Sequence, residues 1–221
     1  MGAFSPQIKK PVRLAHFLYM QRIKGFDVPD TPHFDAESTA PFKALLDKAN
    51  LYLEFGAGGS TVVAAGQNKE TITVENDRFF ARSVEKKIGK NSSVTLLTID
   101  TGFSVQWGMP LVEKASASRR KRWARYVEEP FRVLGERVPD LVLIDGRFRL
   151  ACGLRAADHA IRKGKPTTLW FDDYAERPYY HTIESLLGAP ERKGRAGIFH
   201  VKPEPIEGLD ALLRQAMTDF R

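Results

Sequence analysis

Residues 51–65 read LYLEFGAGGSTVVAA, an apolar run that ends in an acid, a glycine turn, and a helix start built from small residues. Glycines at 56 and 58 let a chain turn tightly and bring its backbone close to a ligand, while Ser60 and Thr61 can cap the helix that follows. The combination is that of a nucleotide-ligand site. Three further acids close apolar runs: Glu75 in TITVEND, Asp100 in TID and Asp145 in PDLVLIDG. With the glycine turn they would share the edge at which open α/β sheets bind their ligands. The dinucleotide fingerprint wants a third glycine, or alanine, where this chain has Thr61, and that weakens a reading as an NAD site.

Positioning these groups requires strands that end where the acids stand. Leu51 to Phe55, Thr71 to Glu75, Val94 to Ile99, Leu141 to Ile144 and Thr168 to Phe171 are short β-rich runs. Segments of helical period lie among them, Gly59 to Gly66, Asp77 to Ile88, Leu150 to Lys163 and Pro178 to Leu187, with Asp77 placed to cap the second. The alternation predicts a parallel sheet. Before the first strand, Pro11 to Met20 and Ala40 to Ala49 read as helices on either side of the Pro- and Asp-rich stretch Asp27 to Pro32. After the fifth, the turn-forming PERKGRAG leads into an apolar GIFHV, and Leu209 to Phe220 reads as a closing helix. The connection from Asp100 to Pro139 is long for a crossover: a turn-rich TGFSVQWGMP, then the basic helix candidate KASASRRKRWARYVEEPFRVL. This divides the chain into an N-terminal helical extension, 1–50, and one domain, 51–221, with an insertion at about 101–138.

The 221 residues are 43% hydrophobic and 28% charged, enough for a packed core and unlike a disordered, collagen-like or coiled-coil chain. A net charge of +7 attracts anionic ligands. Arg119 to Arg122, with Trp123 and Arg125, could contact phosphates while the ring stacks on a base, which makes nucleic acid a candidate partner, although such a run is more often a solvated helix face. The single cysteine, Cys152, excludes an internal disulfide and reads as a small core residue. The histidines lack metal-ligand spacing; His181 lies just beyond a strand's carboxyl end, where it could face a pocket. No run approaches the roughly 18 apolar residues of a membrane span, so a cytoplasmic protein is expected, with no membrane partner.

The ordered motifs resemble those of class I S-adenosylmethionine-dependent methyltransferases. Motif I of that family, E-x-G-x-G-x-S/T, is matched by Glu54, Gly56, Gly58 and Ser60. The resemblance implies that these residues bind S-adenosylmethionine, that Glu75 accepts hydrogen bonds from both ribose hydroxyls, and that Asp100 contacts the adenine. It places Asp145 beside methyl donor and acceptor, as the family's motif IV. The fold implied is α/β and Rossmann-like, a central, mostly parallel sheet with a terminal antiparallel strand and helices on both faces, over roughly Leu51 to Val201. Transfer from the sulfonium is an in-line displacement, so the protein mainly positions the acceptor and removes its proton. Asp145 is the candidate catalytic residue, as general base or orienting group. IDGRF stands where amino methyltransferases carry N/D-P-P-Y, which argues against a nucleobase amino acceptor, and an oxygen acceptor on a small molecule or sugar-like metabolite is the preferred expectation. A non-catalytic or nucleic-acid-binding module on the same fold is the alternative.

Asp172 and Asp173, with Asp145, resemble the metal site of cation-dependent O-methyltransferases similar to the catechol enzymes, with Asp where those have Asn. Such carboxylates could hold Mg²⁺. A metal-free site is the favoured expectation: adjacent residues after a strand tend to point to opposite sides, and Arg147, Arg149 and Arg177 are near enough in sequence to neutralise the acids.

Overall fold

In a computed structural model, which describes residues 15–111 and 116–220, each acid-tipped run is a strand of one sheet. The strands are β1 (Leu51–Phe55), β2 (Glu70–Glu75), β3 (Val94–Thr98), β4 (Leu141–Ile144), β5 (Thr167–Phe171), β6 (Glu191–Lys193) and β7 (Ala196–Val201). Their spatial order is β3-β2-β1-β4-β5-β7-β6. The first five are mutually parallel, and β7 returns antiparallel between β5 and β6. The helices are α1 (Ala36–Lys48), α2 (Gly59–Gly66), α3 (Arg78–Ile88), α4 (Ala117–Leu134), α5 (Arg149–Arg162), α6 (Glu184–Leu187) and α7 (Leu209–Ala216). This is the expected Rossmann-like α/β fold.

Alternate strand residues feed two cores because both faces of a parallel sheet are covered. Leu53, Phe55, Val142, Ile144, Leu169 and Phe171 face one layer, with Trp123 and Phe131 of α4, Ala151 of α5 and Leu213 of α7. Tyr52, Leu141, Leu143 and Trp170 face the other, against Phe42 and Leu46 of α1 and Ala64 of α2. A third cluster joins Val28, Ala57 and Val84. None of the described helices is long and apolar enough to cross a membrane.

Local chemistry explains where elements begin. Asp77 caps α3, its Oδ1 accepting from the Phe79 N–H at 2.9 Å. Helix α1 starts at Ala36 rather than Ala40, because Asp35 caps it by accepting from the Ser38 N–H at 2.7 Å, and Pro41 is carried inside the helix. The expected helix Pro11 to Met20 falls outside the described residues over its first four positions; 15–19 are helical and lead into a π-helical turn, Met20–Lys24. Pro178–Ile183 is a 3₁₀ turn, leaving only Glu184–Leu187 as α-helix.

The long connection after β3 contains an ordinary crossover helix. Trp123, Tyr126, Val127, Pro130 and Phe131 form the buried stripe of α4 at helical spacing, opposite the exposed Arg120, Lys121, Arg122 and Arg125. Trp123 therefore cannot stack on a base: it is fully buried, and its Nε1 donates to the Thr101 carbonyl at 3.2 Å. Truncating Phe42, buried against Tyr52 and Trp170, should cost about 3–5 kcal/mol of unfolding free energy by urea titration. A loss below about 1 kcal/mol would mean that α1 is not part of the cooperative core.

Candidate functional site

Strand register aligns the chemical groups. Phe55 pairs with Val74 on one side and Ile144 on the other, and Ile144 pairs with Phe171. One residue further on, Gly56, Glu75, Asp145 and Asp172 lie in a row across the carboxyl edge. The row is tied by backbone bonds from Gly56 N to Val74 O (2.9 Å), Asp145 N to Phe55 O (3.0 Å) and Asp172 N to Ile144 O (3.2 Å). Between β1 and β4 the strand order reverses, and open α/β sheets hold ligands outside that switch point.

Two glycines make the crevice. Gly56 has φ +96°, and a Cβ there would lie 2.8 Å from the Gly146 Cα. A Cβ on Gly146 would collide with the Tyr126 hydroxyl and the Gly56 N–H. Gly58, by contrast, borders open space. Residues 31 and 32 lie against the start of α2, where a Cβ on Gly59 would strike the Thr31 carbonyl, so the segment before α1 covers one side of the glycine turn.

Glu54 points to the α1–α2 side and is fully buried. Ser60 donates to its Oε1 and Thr61 to its Oε2 at 2.7 Å, so this carboxylate holds the turn from beneath. Burial pushes its pKa up to about 7 despite the two hydroxyls. Glu75, also buried, accepts at Oε1 from the Asn76 and Asp77 N–H groups, each at 2.7 Å, which leaves acceptor capacity on the carboxylate. Its pKa is likewise raised by burial to about 7. Asp100 is exposed, ion-paired with Arg122 at 3.1 Å, and accepts from the Gly102 N–H at 2.8 Å.

Asp145 meets Asp172 and Asp173, the grouping that the resemblance to the cation-dependent enzymes implied. One carboxylate oxygen from each of Asp145, Asp172 and Asp173 lies within 4.8 Å of the others. Asp172 and Asp173 do not diverge as expected, because Asp173 has φ +56°, a left-handed conformation that breaks the strand alternation. Arginines take up these acids. Arg149 donates to Asp145 Oδ1 at 2.8 Å and reaches Asp173 at 3.1 Å. Arg177 pairs with Asp173 at 2.5 Å. Arg195 binds both oxygens of Asp172, at 2.9 and 2.6 Å, and lies 3.2 Å from Asp173. The set suits a divalent ion poorly, since each carboxylate is already paired with a guanidinium. Burial and the neighbouring aspartates raise the proton affinity of Asp145, while Arg149 and Arg195 oppose them.

A solved structure of a methyltransferase-like protein from Silicibacter pomeroyi is similar to this chain at 34% identity and TM-score 0.73, covering 86% of this chain and 100% of that one. The chain belongs to the class I S-adenosylmethionine-dependent methyltransferase family. Looser likenesses include a Thermus thermophilus 16S rRNA methyltransferase in complex with AdoMet and guanosine (18% identity, 77% of this chain and 40% of that one, TM-score 0.38). Another is an SAH-bound Podospora anserina methyltransferase (13%, 98% and 86%, TM-score 0.42). No family model and no curated protein matches the chain.

Within this methyltransferase fold, several residues that shape the site escaped sequence reasoning. Arg195 comes from the turn between β6 and β7, which the N-cap of α1 holds in place: Asp35 Oδ2 accepts from the Arg195 N–H at 2.8 Å. Asn76 donates to Thr101 Oγ1 at 3.0 Å and to the Gly108 carbonyl at 2.9 Å, anchoring the loop after β3. The only local sign of either was the glycine in each turn. His181 does not enter the pocket; its ring stacks on Tyr174 at 4.6 Å and its Nε2 lies 3.0 Å from the Tyr174 carbonyl. Cys152 is buried and unpaired, as a core residue should be.

The raised pKa values have a definite sign. Between about pH 4.5 and 7 the unfolded chain loses protons that folded Glu54 and Glu75 retain, so ligand-free stability falls as pH rises through this window, by about 3 kcal/mol for each group. Urea unfolding at pH 5 and pH 8 should show the fall, and Glu75→Gln should narrow it; an unchanged difference in the variant would refute the assignment to Glu75.

Proposed function

We propose that this chain transfers a methyl group from S-adenosylmethionine to an oxygen atom of a small molecule. The observation that carries the reading is the row formed by Gly56, Glu75 and Asp145 at the switch point of the sheet. The donor set suits the cofactor. Gly58 borders open space beside a helix start, and Glu75 has carboxylate capacity to receive hydroxyl donors. Asp100, at the next strand end, would lie beside the adenine. Glu54 and Ser60 would serve the donor by fixing the glycine turn. The domain would span residues 51–221, with the segment before it closing the site through Asp35 and Arg195.

S-adenosylmethionine supplies a methyl group on a sulfonium, already activated for in-line displacement, so the protein needs little machinery beyond positioning. A hydroxyl acceptor must still lose its proton. Asp145 would serve for that: it is half-buried, its proton affinity is raised, and Arg149 holds its Oδ1. Arg149 also binds the Asp172 carbonyl at 2.6 Å, so its guanidinium is fixed before any ligand arrives.

Calorimetric titration with S-adenosylmethionine, S-adenosylhomocysteine and NAD tests the donor site. Both sulfur ligands should bind, and Glu75→Ala should weaken them about 5- to 150-fold, as expected when a partner of buried hydroxyls is removed. NAD binding without a response to S-adenosylhomocysteine would overturn the reading. Asp145→Asn should retain S-adenosylhomocysteine affinity within about a factor of two; loss of that affinity would move Asp145 from the acceptor to the donor.

A further inference from the structure

Arg147 stands apart from the other arginines of this edge. Arg149, Arg177 and Arg195 are each paired with carboxylates of Asp145, Asp172 or Asp173. Arg147 is 7% exposed, and no described carboxylate pairs with it. Its Nη1 rests 2.9 Å from the Met109 thioether, a weak acceptor, and its Nε is buried with no hydrogen-bond partner among the described residues. A buried guanidinium so served is costly unless an anion completes it.

Its surroundings place it in the crevice. Arg147 follows Gly146, whose backbone touches Gly56, and lies two residues from Asp145. Its backbone N–H donates to the Tyr126 hydroxyl at 3.5 Å. Met109 comes from a small hairpin after β3, closed by Val105 N to Met109 O at 2.8 Å and Leu111 N to Phe103 O at 2.7 Å, and anchored by Asn76. A thioether on an unbranched side chain can swing aside at little cost. With Asp145, Asp172 and Asp173 ionised, the four arginines leave one positive charge over, and Arg147 is the group that carries it. A carboxylate or phosphate can take two of its N–H groups at once.

Resting on the methyltransferase reading above, we propose that Arg147 receives a carboxylate or phosphate group of the methyl acceptor, so that the substrate is an anionic small molecule held with its acceptor oxygen toward Asp145. The donor's own carboxylate offers the same chemistry, and the test must separate the two.

Thermal unfolding supplies it, with inorganic phosphate or benzoate as probes, chloride at matched ionic strength as reference, and each titration run with and without S-adenosylhomocysteine. The wild-type melting temperature should rise with phosphate or benzoate beyond the chloride reference. Arg147→Met should lose that rise, keep the rise given by S-adenosylhomocysteine, and melt no lower than wild type without ligand, because it removes an uncompensated buried charge. Arg147→Gln, also neutral, gives the same reading should the methionine variant not fold. No anion response in wild type, or the same response in the neutral variants, overturns the proposal. A loss of the S-adenosylhomocysteine response in the variants without added anion would assign Arg147 to the donor carboxylate and overturn it equally. Should wild type not respond to S-adenosylhomocysteine, the donor-site reading fails by itself, and the anion arm still decides whether Arg147 is an anion receptor.

Discussion

Backbone contact between Gly56 and Gly146 is the constraint on which the site depends. These residues end adjacent strands, β1 and β4, at the point where the strand order reverses, and a Cβ on either would force the two turns apart. Because they touch, the row from Glu75 to Asp172 stays continuous across four strands. The rest of the turn is braced from below by Glu54, a carboxylate with no solvent access whose hydroxyl partners sit at the start of α2. Replacing that brace with apolar contacts would leave the backbone less well determined, since two directed hydrogen bonds orient Ser60 and Thr61 where packing alone would not.

Several charged groups at the edge are buried at a cost to the ligand-free fold. Glu54 and Glu75 are buried far enough for their pKa values to approach 7, and Arg147 is buried with no counter-ion among the described residues. Under the proposed function, a bound donor at Glu75 or an anion at Arg147 would offset that cost, while Glu54 is held by Ser60 and Thr61. Asp145, Asp172 and Asp173 differ, since Arg149, Arg177 and Arg195 already pair with them. That network is rigid: Arg149 spans Asp145, Asp173 and the Asp172 carbonyl, and so couples the ends of β4 and β5.

The segment before β1 is structurally continuous with this network. Phe42 and Leu46 fill one sheet face, Asp35 holds the turn that presents Arg195, and residues 31 and 32 cover the start of α2. An N-terminal helix that looked like an appendage to the α/β pattern thus reaches the site through one capping carboxylate, which serves α1 and the β6–β7 turn together.

Sequence by itself determined the features that arise from neighbours along the chain. Strand limits followed from apolar runs, the strand at GIFHV from the turn chemistry before it, the cap at Asp77 from its place before Phe79 and Phe80, and the row of Gly56, Glu75 and Asp145 from the rule that parallel strands end at a common edge, whereas β6 lies inside the stretch that reads as a turn. Tertiary structure decided the rest, because it depends on which distant groups share a small volume. Arg195 reaches Asp172 only because β7 returns antiparallel beside β5, and Trp123 is core rather than surface because α4 turns that stripe inward. The convergence of Asp172 and Asp173 rests on one left-handed residue, which a strand-period rule cannot foresee. Arg147 belongs with these: its charge is written in the sequence, whereas its lack of an acidic partner among the described residues appears only in the fold, where Arg149, Arg177 and Arg195 take the carboxylates of Asp145, Asp172 and Asp173.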